Sequence, residues 1–539
     1  MTRMVLRRNL SRAGALVALF GGAGLERTAY ASNVTEIPDL GSEQMGRGGA
    51  WVARASDPMA TFLNPAGLAG QQTRLTLQTN IIVQHTCFTR VQAAADTTVD
   101  PLVDPATRTY PKVCNDVLPQ ISPDLAFALR LTDRVGLGVG VFTPNTSGTV
   151  HWPEFVDEKA SPSRYLLNRA AGVVVFPTIG IGAEIFDRVR VGASFSWGVA
   201  KLKLSSAVVG LNQNGAGPDN DVRANVQVAD YFIPGVTLGT LIGVSDSLEI
   251  GASYKLSDSI RARGDVGTAA NYYTASNAKG DGSKVAYGDS IYEDCGTGSS
   301  TTACGSGDNA TLRFAIPMEA KLGFRFHKDR AAATKARDPL RNELFDVELD
   351  LTWANNSAID AIHIRFPDDG NGNGVIPVSG TGGSLPPNAD QVKGFKDVIG
   401  VRLGGDVALV PDMLAVRAGA FFETNGQDNT YQHIDFVGTS RFGFGVGGTY
   451  RLKFGSPEAS RALEVMLGYG HVAFAEADNK DPNAKGTPAI AGTQCNPAAA
   501  PAGENCPNGN PKYRTNWPVN LGTITSSANV FQVGVAYRF

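Results

Sequence analysis

Asp346, Glu348 and Asp350 alternate along one stretch of the chain, and Glu319, Lys321 and Arg325 alternate along an earlier one. At a period of two, each trio shares one face of a strand, so neighbouring strands would set them against each other as a ladder of ion pairs lining a polar interior. A second group, Asp369, Asn371 and Asn373 with Gly374, matches the first half of a calcium loop. Position twelve is Gly380 rather than Glu, so the bidentate ligand is missing, and Asp, Asn and Gly also make ordinary turns. Gly443-Phe444-Gly445-Val446-Gly447-Gly448 has the glycines of a dinucleotide loop but lies inside an alternating strand pattern with no helix to follow. There is no G-x-S-x-G elbow and no H-E-x-x-H, and no Ser/His or Asp/His set assembles a catalytic site. The expectation is a protein that is not an enzyme, with no cofactor beyond a calcium ion at 369–374.

Six cysteines fall as three local pairs, Cys87 with Cys114, Cys295 with Cys304 and Cys495 with Cys506, each in a stretch rich in Pro, Asn, Gly and Thr. Fifteen connectivities are possible, and the local one is expected because each bridge then staples a single loop. A zinc site is not supported, since no C-x-x-C occurs and the histidines do not cluster with the cysteines. Thiol pairing requires export, and the N-terminus supplies the signal. Arg3, Arg7, Arg8 and Arg12 precede an apolar run from Ala13 to Leu25 that is too short to span a bilayer, followed by Ala29-Tyr30-Ala31 as a cleavage site.

The elements that must position these residues are strands. Only 18% of the 539 residues are charged, 42% are apolar and 62 are Gly, yet no run of about 18 apolar residues makes a membrane helix. Transmembrane barrels have this profile, because lipid-facing and lumen-facing residues alternate and no strand becomes apolar as a block. Net charge of −3 gives no basic bias, so nucleic acid is not an expected partner. Alternation predicts strands at 73–84, 123–131, 135–142, 170–185, 188–199, 231–244, 248–263, 311–326, 342–353, 393–409, 413–422, 441–453, 462–474 and 528–539. That is an even count, as single-chain outer-membrane barrels require. Tight turns at Asp133, Asp187, Asp246, Asp412 and Ser456 alternate with long connections, and only 327–341, basic and Ala-rich, is long on the short-turn side. Trp197 and Trp353 fall at outer strand ends, where an aromatic girdle belongs. The chain ends on an amphipathic strand closing with Phe539, which resembles the signal read by the barrel-assembly machinery.

Before the first strand lie Gly46-Arg47-Gly48-Gly49-Ala50, Asp57-Pro58 and Asn64-Pro65-Ala66-Gly67-Leu68. This segment resembles the N-terminal hatch of the FadL/TodX-type outer-membrane transporters of long-chain fatty acids and related hydrophobic compounds. The resemblance implies an all-β fold, a 14-stranded antiparallel transmembrane β-barrel whose lumen is plugged by the hatch. The corresponding division is a signal peptide at 1–31, a hatch at 32–72 and a barrel at 73–539. It further implies ligand capture among the outer loops, an internal apolar site, and lateral release into the outer membrane at an inward kink of the third strand. Under that reading Asn64, Pro65 and Ala66 form a hatch turn beside the gap. Gly136, Gly138, Gly140 and Pro144 would let the third strand bend, although small lumen-facing residues could equally make room for the hatch. Trp51, Met59, Phe62 and Leu63 could line the ligand site or pack the plug, and Arg190, Arg402 or Arg417 could hold a desolvated carboxylate. The expected partners are a hydrophobic small molecule, outer-membrane lipid and the assembly machinery, with the barrel monomeric. The alternatives are a non-transporting receptor or adhesin working through stapled surface loops, or a monoaromatic hydrocarbon channel of the same family.

Overall fold

The structure, a computed structural model, describes residues 41–539 apart from 95, 97–99, 118, 145–148, 209–210, 213–214, 217, 219–220, 270–272, 274–308, 332–336, 373, 377–386, 455–460, 481–489 and 496–513. The expected signal segment, Cys295, Cys304, Cys506 and Asn373 lie outside the described residues.

Fourteen antiparallel strands close into a barrel. They are β1 (Arg74–Arg90), β2 (Gln120–Arg130), β3 (Val135–Phe142), β4 (Arg169–Phe186), β5 (Val189–Val208), β6 (Val222–Gly243) and β7 (Leu248–Ser257). After these come β8 (Glu319–Asp329), β9 (Glu343–Ala354), β10 (Val398–Val410), β11 (Leu414–Glu423), β12 (Arg441–Lys453), β13 (Ala462–Phe474) and β14 (Gly522–Arg538). All 17 residues of β1 pair with β14, from Arg74↔Arg538 to Arg90↔Gly522, so no sheet edge is left at the seam. Outward residues such as Leu403, Ile179 and Val139 are exposed to the bilayer, while their neighbours in sequence face the lumen.

Several strands run further than alternation indicates. The connection expected at 200–230 contains the ends of β5 and β6, paired as Lys201↔Ala229 and Ser205↔Asn225. At the end with the long connections the sheet continues through Ile260–Ala269, Ala310–Phe314, Ala361–Arg365 and Asn388–Val392. In these extensions Arg261, Arg263 and Thr311 are exposed while Ile260, Ala262 and Leu312 are buried, so the apolar-outward pattern that marks a membrane strand is inverted. The stretch expected as one strand at 311–326 is interrupted between Phe314 and Glu319, around Pro317.

The hatch comprises α1 (Ser42–Gly46), α2 (Ala60–Leu63) and a 3-10 turn at Pro65–Leu68. Two motif residues shape it by capping. The Asp57 carboxylate accepts from the Met59 N–H at 2.7 Å in the turn that leads into α2, and Asn64 Oδ1 accepts from the Ala66 N–H to cap the 3-10 turn. Gly48 has φ +61°, and a Cβ there would lie 2.5 Å from the β11 backbone at Ala420, so this turn requires glycine on both counts.

Candidate functional site

Of the expected ladder, Arg325 reaches across to Asp346 at 2.7 Å while Lys321 meets Glu319 of its own strand, and the β9 carboxylates turn mainly to the hatch. Arg47 is fully buried and its guanidinium reaches Asp346 at 2.9 Å, Asp406 at 2.6 Å and Glu348 at 3.3 Å. Arg54 reaches Glu43, Asp346 and Asp406. The hatch backbone docks on the same carboxylates: the Trp51 and Val52 N–H groups donate to Asp350 at 2.8 and 3.1 Å, and the Ala53 N–H to Glu348 at 2.6 Å. Burial acts to lower the pKa of Arg47, but Asp346, Asp406 and Glu348 outweigh it and hold the group above its ordinary value. Removing one partner from such a cluster leaves charges buried and uncompensated, which costs about 3–5 kcal/mol. Asp346, Glu348 and Asp350 are therefore anchors for the plug.

The connection at 327–341 lies against the hatch. Arg337 donates to the carbonyls of Ala53 at 3.0 Å and Arg54 at 2.7 Å. Asp338 fixes this segment by accepting from Arg451 and Arg538, each at 2.8 Å.

The three proposed carboxylate-binding bases are already paired. Arg190 meets Glu184 at 3.2 Å, Arg402 meets Glu423 at 3.0 Å and Arg417 meets Asp406 at 3.2 Å. Lys255 is different. Its ammonium sits 4.1 Å from the ring centroid of Phe62 and 5.9 Å from that of Phe176, and makes no ion pair among the described residues. Glu319, its register partner on β8, meets Lys321 at 3.5 Å and feels the charge of Lys255 from further away. Phe62 also stacks on Phe142 of β3 at 4.9 Å. A cation over an aromatic face in an apolar wall can hold an anionic head group with its tail among the rings. Alternation places Lys255 in the lumen; its aromatic setting comes from the hatch and from a strand three places away, so sequence carried no signal for it.

Trp51, Met59, Phe62 and Leu63 join Phe142 and Phe176 in one apolar cluster. That cluster continues through Leu202, Val226 and Val228 on the upper parts of β5 and β6 to Ile260, Leu312 and Ile364 on the outer extensions. These side chains are buried against one another, so a packed apolar core extends from the outer extensions to the hatch beside the third strand.

Pairing around β3 is incomplete where it leaves the hatch. β2 bonds β1 from Gln120 to Ala128, but bonds β3 only from Leu125 to Arg130. β3 bonds β4 up to Phe142↔Phe176, and pairing with β4 resumes only at Thr149↔Ala171. Among the described residues, Gln120–Asp124 have no strand partner on that side. The Thr143 N–H turns to Asp124 Oδ1 at 2.9 Å, and Pro144 is buried. Of the glycines, Gly136 and Gly138 lie against the hatch: an added Cβ would come within 2.1 Å of the Leu68 carbonyl and the Thr61 hydroxyl respectively. Gly140 faces the Phe142 ring instead. Asn64, Pro65 and Ala66 lie one step away, against Gly182, Gly192 and Gly239 of β4–β6, with Asn64 Nδ2 donating to the Val52 carbonyl at 2.8 Å. The hatch residues that touch the third strand are Thr61, Phe62 and Leu68.

Cys87 and Cys114 form a disulfide between β1 and the two-residue strand Val113–Cys114 paired with it. At the proposed calcium loop, the side chains of Asp368 and Asp369 accept from the Gly370 and Asn371 N–H groups as turn caps. Trp197 donates to the Tyr231 carbonyl and packs edge-on to Phe232, three exposed aromatics at one level of the barrel wall. Trp353 is half-buried and donates to Asp397.

The sequence profile of the family described as outer membrane protein transport protein (OMPP1/FadL/TodX) matches residues 29–501. The chain belongs to this family. Its structure is similar to that of a FadL homologue from Pseudomonas aeruginosa, with a TM-score of 0.62 at 15% identity over 94% of this chain and 99% of the other. It is also similar to the toluene transporter TodX of Pseudomonas putida, with a TM-score of 0.53 at 12% identity over 94% and 99% of the two chains. The toluene transporter TbuX of Ralstonia pickettii gives 0.52 at 13% identity over the same shares. No curated protein matches the sequence significantly. Family and fold make this an outer-membrane barrel that transports hydrophobic compounds, and not an enzyme.

Proposed function

We propose that the chain carries long-chain fatty acids or related hydrophobic molecules inward without an energy source and releases them sideways into the outer membrane. The observation that supports this is the continuous apolar cluster ending at Phe142, where β3 stops pairing with β2. A ligand captured among the outer extensions parts these packed side chains as it moves inward and pauses with its carboxylate at Lys255 and its chain against Phe62, Phe142 and Phe176. The hatch blocks the way down, and lipid is the favoured destination because each methylene gains roughly 0.8 kcal/mol there and nothing in water. Lys255 favours an acid over the hydrocarbons for which TodX and TbuX are named as toluene transporters.

Uptake of labelled palmitate and labelled toluene by cells with and without the chain tests this. Expression should raise palmitate uptake, and Lys255→Met should cut that gain about ten-fold, the worth of one charge-assisted contact. Equal palmitate rates with and without the chain would sink the transport reading. Unchanged uptake in Lys255→Met would remove the lysine from it.

A further inference from the structure

The lumen wall formed by β14, β1 and β2 is unlike the apolar side. Register places Gln532, Asn80 and Ser122 in one cross-strand row, and Gly534, Gln78 and Asp124 in the next. Thr76, Gln78, Ser122, Asp124 and Gln532 are each at most 2% exposed and face inward. Gln78 Oε1 accepts from the Ser42 N–H of the hatch at 3.1 Å, but Thr76 Oγ1, Gln78 Nε2, Ser122 Oγ, Asp124 Oδ2 and both side-chain polar atoms of Gln532 make no hydrogen bond among the described residues. Six such atoms on one wall are too costly to leave unmet, so the wall takes a hydrogen-bonding occupant. Its edge is the third-strand opening, because Asp124 accepts from the Thr143 N–H with one oxygen and offers the other to the lumen.

We infer that this row is a binding site for the uncharged polar head of an amphiphile, such as a long-chain alcohol, while its tail lies in the gap. The inference rests on the transport reading and extends its substrate class beyond acids. The row offers donors and acceptors together, which suits a hydroxyl or amide group. A carboxylate would bring acceptors alone. The nearest cation along β1, Arg74, is held by Glu464 at 2.7 Å. Lys255, on the other side of the lumen, serves acids; the row serves molecules that Lys255 cannot hold.

The test is uptake of labelled 1-hexadecanol and labelled hexadecane by cells expressing the wild-type chain or Ser122→Ala/Gln532→Met, two residues whose side-chain polar atoms make no hydrogen bond among the described residues. The variant should lose hexadecanol uptake about five-fold, one or two hydrogen bonds' worth, and keep hexadecane uptake. Unchanged hexadecanol uptake would overturn the site, leaving the row to water. A parallel fall of both probes would overturn it too, by making the row scaffold. Should the double variant fail to assemble, Gln532→Met alone asks the same question. Wild-type cells that gain neither probe over cells lacking the chain would sink the transport reading beneath it.

Discussion

Asp57 is buried in the hatch without a cation in contact among the described residues; its carboxylate accepts only from the Met59 N–H and from Gln44. Burial, reinforced by the charge of Glu43, pushes its pKa up to about 6, against the opposing pull of Arg74 and these two hydrogen bonds. In the unfolded chain an Asp titrates near 3.9. Between roughly pH 4 and 6 the folded hatch therefore holds a proton that the unfolded chain has released. The stabilisation is complete below about pH 4, declines as pH rises to about 6 and is absent above it, a span of about 3 kcal/mol. Asp57→Asn carries no such charge. Its heat-denaturation midpoint in detergent should exceed that of the wild type at pH 7.5 and converge with it near pH 4; a variant that melts lower at pH 7.5 would show the carboxylate to be stabilising. The residues that matter most to the hatch were the least legible in the sequence. Arg47 reads as a spacer between glycines, and its partner Asp346 stands 299 residues away, brought near only by barrel closure.

The connection between β8 and β9 braces the hatch. Arg337 contributes two hydrogen bonds to hatch carbonyls, and Asp338 and the Asp412 N–H donating to the Leu340 carbonyl fix the segment beneath the lumen. Arg337→Ala should leave assembly intact, because no strand pairing depends on it. Ion conductance of the purified barrel in planar bilayers should rise as the hatch loosens. Conductance equal to the wild type would show that the carboxylates of β9 hold the plug unaided. Sequence reading marked this connection as the odd one by length and charge, but could not see what it touched. The strands themselves were legible, because lipid on one side and a polar lumen on the other impose a period of two. The apolar-outward pattern fails where that contrast ends, as in β5 beyond Ala200, where Lys201 and Lys203 alternate with Leu202 and Leu204 that pack against the inner apolar cluster. Lumen bases were visible as residue types only. Distinguishing Lys255 from Arg190, Arg402 and Arg417 requires knowing which carboxylates lie across the lumen.

At the scale of the molecule, the barrel and its plug share one interior. Gly404, Gly419 and Gly445 let the wall approach so closely that a Cβ at each would fall 2.0 Å from a hatch carbonyl oxygen. A hatch with buried Arg47 and Arg54 would have to shed water from both guanidiniums while passing a rim that the β1–β14 seam has already closed. A chain permuted to carry residues 32–72 after Phe539 should therefore yield a heat-resistant barrel whose hatch is cut by protease, whereas the natural order protects it. Protection in the permuted chain would show that the plug can enter late. The full-length seam thus fixes a sequence of events in time: the segment made first must be in place before the segment made last can find its neighbour. Order of synthesis becomes a permanent feature of the finished wall, and the lock is closed from inside.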